Sequence, residues 1–336
     1  MSFKSLRFQF RTLLVLLFLA PLAALFGTRP AEAVSIDWVT VGDPGNLADT
    51  TGFGAVAYSY KISKYEVTNG QYVEFLNAVA AENPHSLYEQ SLMGGAIAQS
   101  GTSGNYTYAS ALGRANEPVT GANWGASLRF ANWLHNGQPS SVSPFDPSTT
   151  EDGAYLLLAM APGLRKTGAQ VFVPNDDEWY KAAYFNGTSY LDYPTAGPTT
   201  CAAPGSTPNT ANCNNMAPGP TDRGAYTASV GPYGTFDQGG NVSEWSETIH
   251  STINDPFLAY RWGGAYDGSA ADLVAGTPPL FNPRYGSASS GFRVAAIPEP
   301  STALLLGLGL LGVAACSRNS PLNRHSAPVG GLRIGI

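Results

Sequence analysis

Glycine and proline set the first limit on what this chain can fold into. Of 336 residues, 38 are Gly and 25 are Pro. Gly weakens helices and strands through backbone entropy, and Pro fixes φ and removes a hydrogen-bond donor, so long regular elements are interrupted. Coiled coils and long helical bundles are excluded, since both need unbroken Glu/Lys/Leu-rich periodic stretches. Yet 43% of the residues are hydrophobic and 11% aromatic, enough to bury a core, which excludes wholesale disorder. The expectation is a folded domain with abundant loops.

Charge narrows the partners. Charged residues make up 12% of the chain, about half the usual share. The formal net charge of −6 hides a larger figure, because between residues 34 and 297 there are 11 basic and 22 acidic side chains, a balance of −11. Nucleic-acid binding needs a basic face to displace counterions, so no nucleic-acid partner is expected. A surplus of carboxylates suits a cation.

Both ends carry apolar runs that read as addresses. Lys4, Arg7 and Arg11 form a positive region, Leu13 to Phe26 is apolar, and Ala31-Glu32-Ala33 is a small-x-small cleavage pattern. The run is short for a membrane span and contains Pro21, so residues 1–33 are expected to be a removed signal peptide. The mature chain then begins near Val34. Near the other end, Pro298-Glu299-Pro300 precedes the Leu/Gly/Ala-rich run Ser301 to Ala315, with Arg318 behind it. Residues 298–318 resemble a PEP-CTERM sorting signal. That resemblance implies recognition by an exosortase-type enzyme in an exopolysaccharide-making Gram-negative bacterium. It also implies transient membrane anchoring by this segment, with delivery to the cell surface, the outer envelope or the medium. Residues 319–336 have no hydrophobic periodicity and no assigned role.

Only Cys201 and Cys213 lie between these ends, and Cys316 belongs to the tail. Two cysteines 12 apart in a Pro/Gly/Asn-rich loop form either a disulfide, which an oxidising compartment favours, or two free thiols. With no CxxC there is no zinc framework.

Local patterns give short elements. Strands are expected at Ile36 to Val41, Tyr58 to Ile62 and Val171 to Val173, with further short strands near 225–236, 258–266 and 291–296. Thr68 is placed to cap a helix over Asn69 to Ala80, with Tyr72, Phe75, Leu76 and Val79 on one face. A second helix runs from Trp124 to His135. A third covers Glu178 to Phe185, opened by Pro174 and the acids at 176–178, which complement the helix dipole. Residues 82–117 and 137–153 read as long loops. Trp124, Trp133, Trp179 and Trp245 are expected in the core rather than in a ligand cage, and Arg293 and Glu66 as buried partners. The fold class is α+β, a single domain over residues 34–297 with little regular structure.

Six segments in order carry a family resemblance. They are Tyr65-Glu66-Val67-Thr68-Asn69, then Pro118-Val119-Thr120 with Trp124 and Trp133-Leu134, then Val173-Pro174 through Glu178-Trp179. Gly240-Asn241-Val242-Ser243-Glu244-Trp245, Arg261-Trp262-Gly263-Gly264 and Gly291-Phe292-Arg293-Val294 follow. Together they resemble the formylglycine-generating-enzyme (sulfatase-modifying factor) domain. The resemblance implies a C-type-lectin-like fold stiffened by calcium. Asp237 to Glu244 sets two carboxylates across a glycine-rich turn, the mixture of carboxylate and carbonyl oxygens a hard cation takes. Carried over from the family, the calcium ligands are the Asp237 and Glu244 side chains and the Gly240 and Val242 carbonyls. A second family site would use Asn212, the Cys213 carbonyl and Asp222.

The family's chemistry oxidises a substrate cysteine to formylglycine with oxygen and a copper ion held by two thiolates. Soft Cu(I) needs those sulfurs. The matching positions here are Gly268 and Leu273, and no cysteine lies between Arg261 and Arg293. Cys201 and Cys213 reach that region only by an unusual loop path. The three histidines of the central region, His85, His135 and His250, are widely spaced. No GxSxG, P-loop, HExxH or strand-linked GxGxxG is present. Copper is therefore not expected. The first expectation is a non-catalytic, calcium-stabilised binding or structural module of the envelope or extracellular matrix, with a polysaccharide or protein ligand. The alternative is a formylglycine-generating oxidoreductase acting on sulfatase cysteines through a displaced metal site.

Overall fold

The computed structural model describes residues 33–140, 147–157 and 164–298. The expected signal peptide, apart from Ala33, and the sorting segment, apart from Pro298, lie outside the described residues, as does the tail at 319–336.

Among the described residues, four α-helices form where side chains close their first turns. Helix α1 (Asn69–Val79) begins at Thr68, whose hydroxyl accepts the Gln71 N–H while Gln71 accepts the Thr68 N–H. Helix α2 (Gln90–Met93) is one turn. Helix α3 (Trp124–His135) is capped by Asn123. Helix α4 (Asp176–Tyr184) starts on a reciprocal Asn175–Glu178 cap, with three acids in its first turn. None of these helices is long and apolar enough to cross a membrane.

The strands are β1 (Trp38–Val41), β2 (Tyr60–Ser63), β3 (Ile97–Ser100), β4 (Thr107–Ser110), β5 (Val171–Phe172) and β6 (Thr200–Cys201). They continue as β7 (Thr210–Ala211), β8 (Ser243–His250), β9 (Leu258–Trp262), β10 (Leu280–Phe281), β11 (Ser290–Gly291) and β12 (Ala295–Ala296). One sheet has the order β1-β2-β12-β5, all antiparallel, so the beginning and end of the domain are paired. A second has the order β10-β9-β8-β11, with β11 parallel to β8. Two-stranded pairs, β3 with β4 and β6 with β7, complete the set.

Helices α1 and α3 pack through aromatic rings. Phe130 contacts Phe75 and Phe292 at ring-centroid distances of 5.4 Å each, and Trp133 stands 5.4 Å from Phe75. Such pairs contribute about 0.5–1.5 kcal/mol each beyond area burial. Trp124, Trp133, Trp179 and Trp245 are all at most 5% exposed. Trp124 donates to the Ser246 carbonyl and Trp245 to the Ala122 carbonyl. They are core residues, each with its indole N–H satisfied where it is buried.

Three expectations are corrected. Residues 82–117 are not one long loop. They contain α2 and the β3–β4 hairpin, where Ile97 and Tyr108 turn inward while Ala98, Ser100, Thr107 and Ala109 face water. This period of two was masked by the flanking Gly and Ser. The stretch 225–236 holds no strand, only an isolated bridge between Tyr226 and Gly205. The 137–153 stretch, where described, ends in a helical turn at Pro147–Glu151.

Candidate functional site

The turn at 237–244 is built from three residues in the left-handed region, Asp237, Gly240 and Asn241, with φ of 59°, 83° and 60°. Gly240 is required there, because a Cβ would collide with the Asn212 carbonyl. Asn241 is the hub. Its backbone N–H donates to the Asn212 carbonyl at 2.8 Å, and its Oδ1 accepts the Thr221 N–H at 2.9 Å. Its Nδ2 donates to Glu66 Oε1 at 3.1 Å.

Behind the turn sits a buried charge cluster. Both oxygens of Glu244 accept from Arg293, Nε to Oε2 and Nη2 to Oε1 at 2.6 Å each, and Trp179 Nε1 donates to Oε2 at 2.7 Å. Glu244 and Arg293 are both fully buried. The guanidinium also donates to the Ser63 and Phe236 carbonyls. Burial opposes its charge, but Glu244 outweighs that and raises its pKa. Asp237 accepts the Gly224 N–H at 2.7 Å, yet burial pushes its carboxyl up to about 6. Glu66 is pushed well above the usual carboxylate range, first by burial and then by the Asp237 charge.

These facts test the fit of calcium. The donor chemistry is hard oxygen, as required, but Glu244 does not offer a free carboxylate to the turn. Its oxygens are bound to Arg293 and Trp179, so the four-ligand set Asp237, Gly240, Val242 and Glu244 fits poorly. Among the described residues no group of three His, Cys, Asp or Glu side chains gathers to hold a metal. Around Asn212 the fit is better. Its Oδ1 is buried with no donor, while Nδ2 donates to the Gly219 carbonyl at 2.9 Å. The Cys213 carbonyl accepts the Met216 N–H, and Asp222 is exposed.

Cys201 and Cys213 are joined in a disulfide, Cα to Cα 4.9 Å. The loop path that sequence made seem unusual exists. Cys213 packs in one cluster with Ala211 and Leu273, with Cys201 against it, and the Asn214 N–H donates to the Gly268 carbonyl at 2.5 Å. The disulfide therefore lies beside Gly268 and Leu273, the positions expected from the family resemblance to match its metal-holding thiolates. It fits copper poorly, because both sulfurs are used in the bond, Cys213 is fully buried, and neither cysteine lines the adjacent cavity.

That cavity, about 470 Å³, is the feature that sequence reasoning missed. It opens between the end of β9 and the segment 271–281. Its lining includes Arg261, Trp262, Asp267, Val274, Pro278 and Phe281. Arg261 lies over the Phe281 ring at 3.4 Å and faces the Trp245 ring at 5.3 Å. Nη1 donates to Ser287 Oγ at 2.6 Å, while Nε is buried without an acceptor. Burial lowers its pKa to about 10, with Asp267 opposing. The Arg261-Trp262-Gly263-Gly264 segment flagged the place. Nothing local could show that residues 274–281, far from regular periodicity, fold over it.

An α+β scaffold with paired ends, short strands and a loop-built cavity defines the C-type-lectin-like class. The chain belongs to the sulfatase-modifying factor enzyme 1-like family, whose domain matches residues 54–297. A PEP-CTERM protein-sorting motif matches residues 296–319, which marks the chain for export to the cell envelope or surface and for an exosortase-type enzyme. No curated protein sequence matches the chain. Among solved structures it is similar to Treponema denticola variable protein 1, at 18% identity and TM-score 0.48, covering 79% of this chain and 96% of that one. It is also similar to CarF, at 19% identity and TM-score 0.45, covering 79% and 99%. PvdO from Pseudomonas aeruginosa follows at 16% identity and TM-score 0.45, covering 79% and 93%.

Proposed function

We propose that this domain is a non-catalytic binding module of the envelope or extracellular matrix, with the cavity beside Arg261 as its ligand site. What supports the reading is that Gly268, which has no side chain, and Leu273, fully buried hydrocarbon, stand where the family resemblance places its metal-holding thiolates. A soft redox metal finds no ligand there. What remains is a cavity of a size common for small-molecule sites. The test is a glycan and peptide array probed with the full chain, beside Thr277→Trp, which fills the cavity from an exposed position. Signals lost in the variant support the reading. Signals that survive it place binding elsewhere.

Calcium belongs to the proposal as a stabiliser of the loops. Asn212 Oδ1, unpaired and buried, supports the site with Cys213 and Asp222, and the Asp237–Glu244 turn is the weaker candidate. A ligand that binds only the native state raises the melting midpoint. Calcium should raise the midpoint of the full chain but not of Asn212→Ala. No shift in the parent would remove calcium from the account.

One observation favours the oxidoreductase alternative: the Cys201–Cys213 pair packs against Leu273. The disulfide and the burial of Cys213 weigh against it, so no catalytic step is assigned to the pair.

A further inference from the structure

The cavity holds a cation with no ion-pair partner. Among the described residues no carboxylate comes within salt-bridge distance of Arg261, whereas Arg114, Arg129, Arg165, Arg223 and Arg293 all have one. Its guanidinium is held flat by Phe281 and by one bond to Ser287. A fixed guanidinium loses little conformational freedom when it binds, and its planar fork matches a carboxylate. The buried Nε–H has no acceptor among the described residues, so the guanidinium is under-satisfied in the free protein. The remaining walls suit a polyol ring. Val274 and Pro278 offer an apolar face, and Asp267, exposed and with no hydrogen bond to another side chain among the described residues, can accept from ligand hydroxyls. The charge of −11 over residues 34–297 repels polyanions at long range, which favours a ligand with one carboxylate at a time.

We propose that this cavity binds a terminal hexuronate unit of an extracellular saccharide, with its carboxylate on Arg261 and its hydroxyls toward Asp267. The inference rests on the binding-module reading and adds the ligand class.

Calorimetric titration of the full chain with glucuronate, galacturonate, glucose and acetate tests it. The expected result is that at least one uronate binds at least tenfold more tightly than either glucose or acetate. Arg261→Met should remove at least tenfold of that affinity, and Arg261→Lys should recover only part, since an ammonium cannot form the bidentate contact. If Arg261→Met fails to fold, Thr277→Trp serves instead and should abolish uronate binding with an unchanged melting midpoint. Equal binding of glucose and uronate, equal binding of acetate, or no uronate binding at all overturns the inference. In that last case, array signals that Thr277→Trp abolishes would leave the binding-module reading standing.

Discussion

Leu273 packs against Cys213, so buried hydrocarbon covers one sulfur of the disulfide. Both residues are fully buried. The disulfide is thereby part of a small apolar cluster, walled off from the cavity a few residues away.

The first prediction follows from that placement. The double variant Cys201→Ser, Cys213→Ser releases a loop closed across 12 residues, which should lower stability by about 3 kcal/mol. Urea unfolding with and without reductant measures it. Reduction should have the same effect on the parent and none on the variant.

Breaking the Glu244–Arg293 pair should cost more. Arg293→Met leaves Glu244 buried and uncompensated, and removing one member of a buried pair destabilises by about 3–5 kcal/mol. Glu244→Gln should cost less, because the neutral amide keeps a carbonyl acceptor. Equilibrium unfolding of both variants checks the order.

A pH dependence should come from Glu247. Its carboxyl accepts from Tyr155 and Arg165, but burial prevails and raises its folded pKa to about 8, above the ordinary 4.5. The folded state then binds the proton more tightly than the unfolded state between those values, so this group's contribution to stability falls as pH rises from about 4.5 to about 8. Glu247→Gln should flatten that slope. A denaturation midpoint measured across this range that keeps its slope in the variant would assign the effect elsewhere.

Gly240→Ala should destabilise by more than 1 kcal/mol, against the usual gain from replacing glycine where φ is compatible. Its φ is positive, and the new methyl would meet the Asn212 carbonyl. A thermal melt reads the loss.

The sequence was legible where local chemistry acts alone. Thr68 announces its helix because a cap needs only residues three apart, and Pro174 with the acids at 176–178 announces the third expected helix, which starts at Asp176. The Trp spacing on α3 marks a buried face for the same reason. The eight-residue strand β8 was hidden because Ser243 to His250 carries buried Trp245 and Ser246 side by side, with no period of two, and is defined by its neighbours β9 and β11. The partners of Arg293 were equally hidden. Glu244 lies 49 residues away and Ser63 lies 230 away, and only the closed sheets bring them together. The turn at 237–244 showed its carboxylates in sequence but not that Arg293 had already claimed one.

The central proposal is that this domain works without the family's oxidase chemistry. The most direct test adds copper, oxygen and reductant to the full chain with a sulfatase-type cysteine peptide, and measures aldehyde by mass spectrometry. The account predicts no aldehyde above the level given by copper without protein. Aldehyde formed by the parent and lost in the Cys201→Ser, Cys213→Ser variant would contradict it.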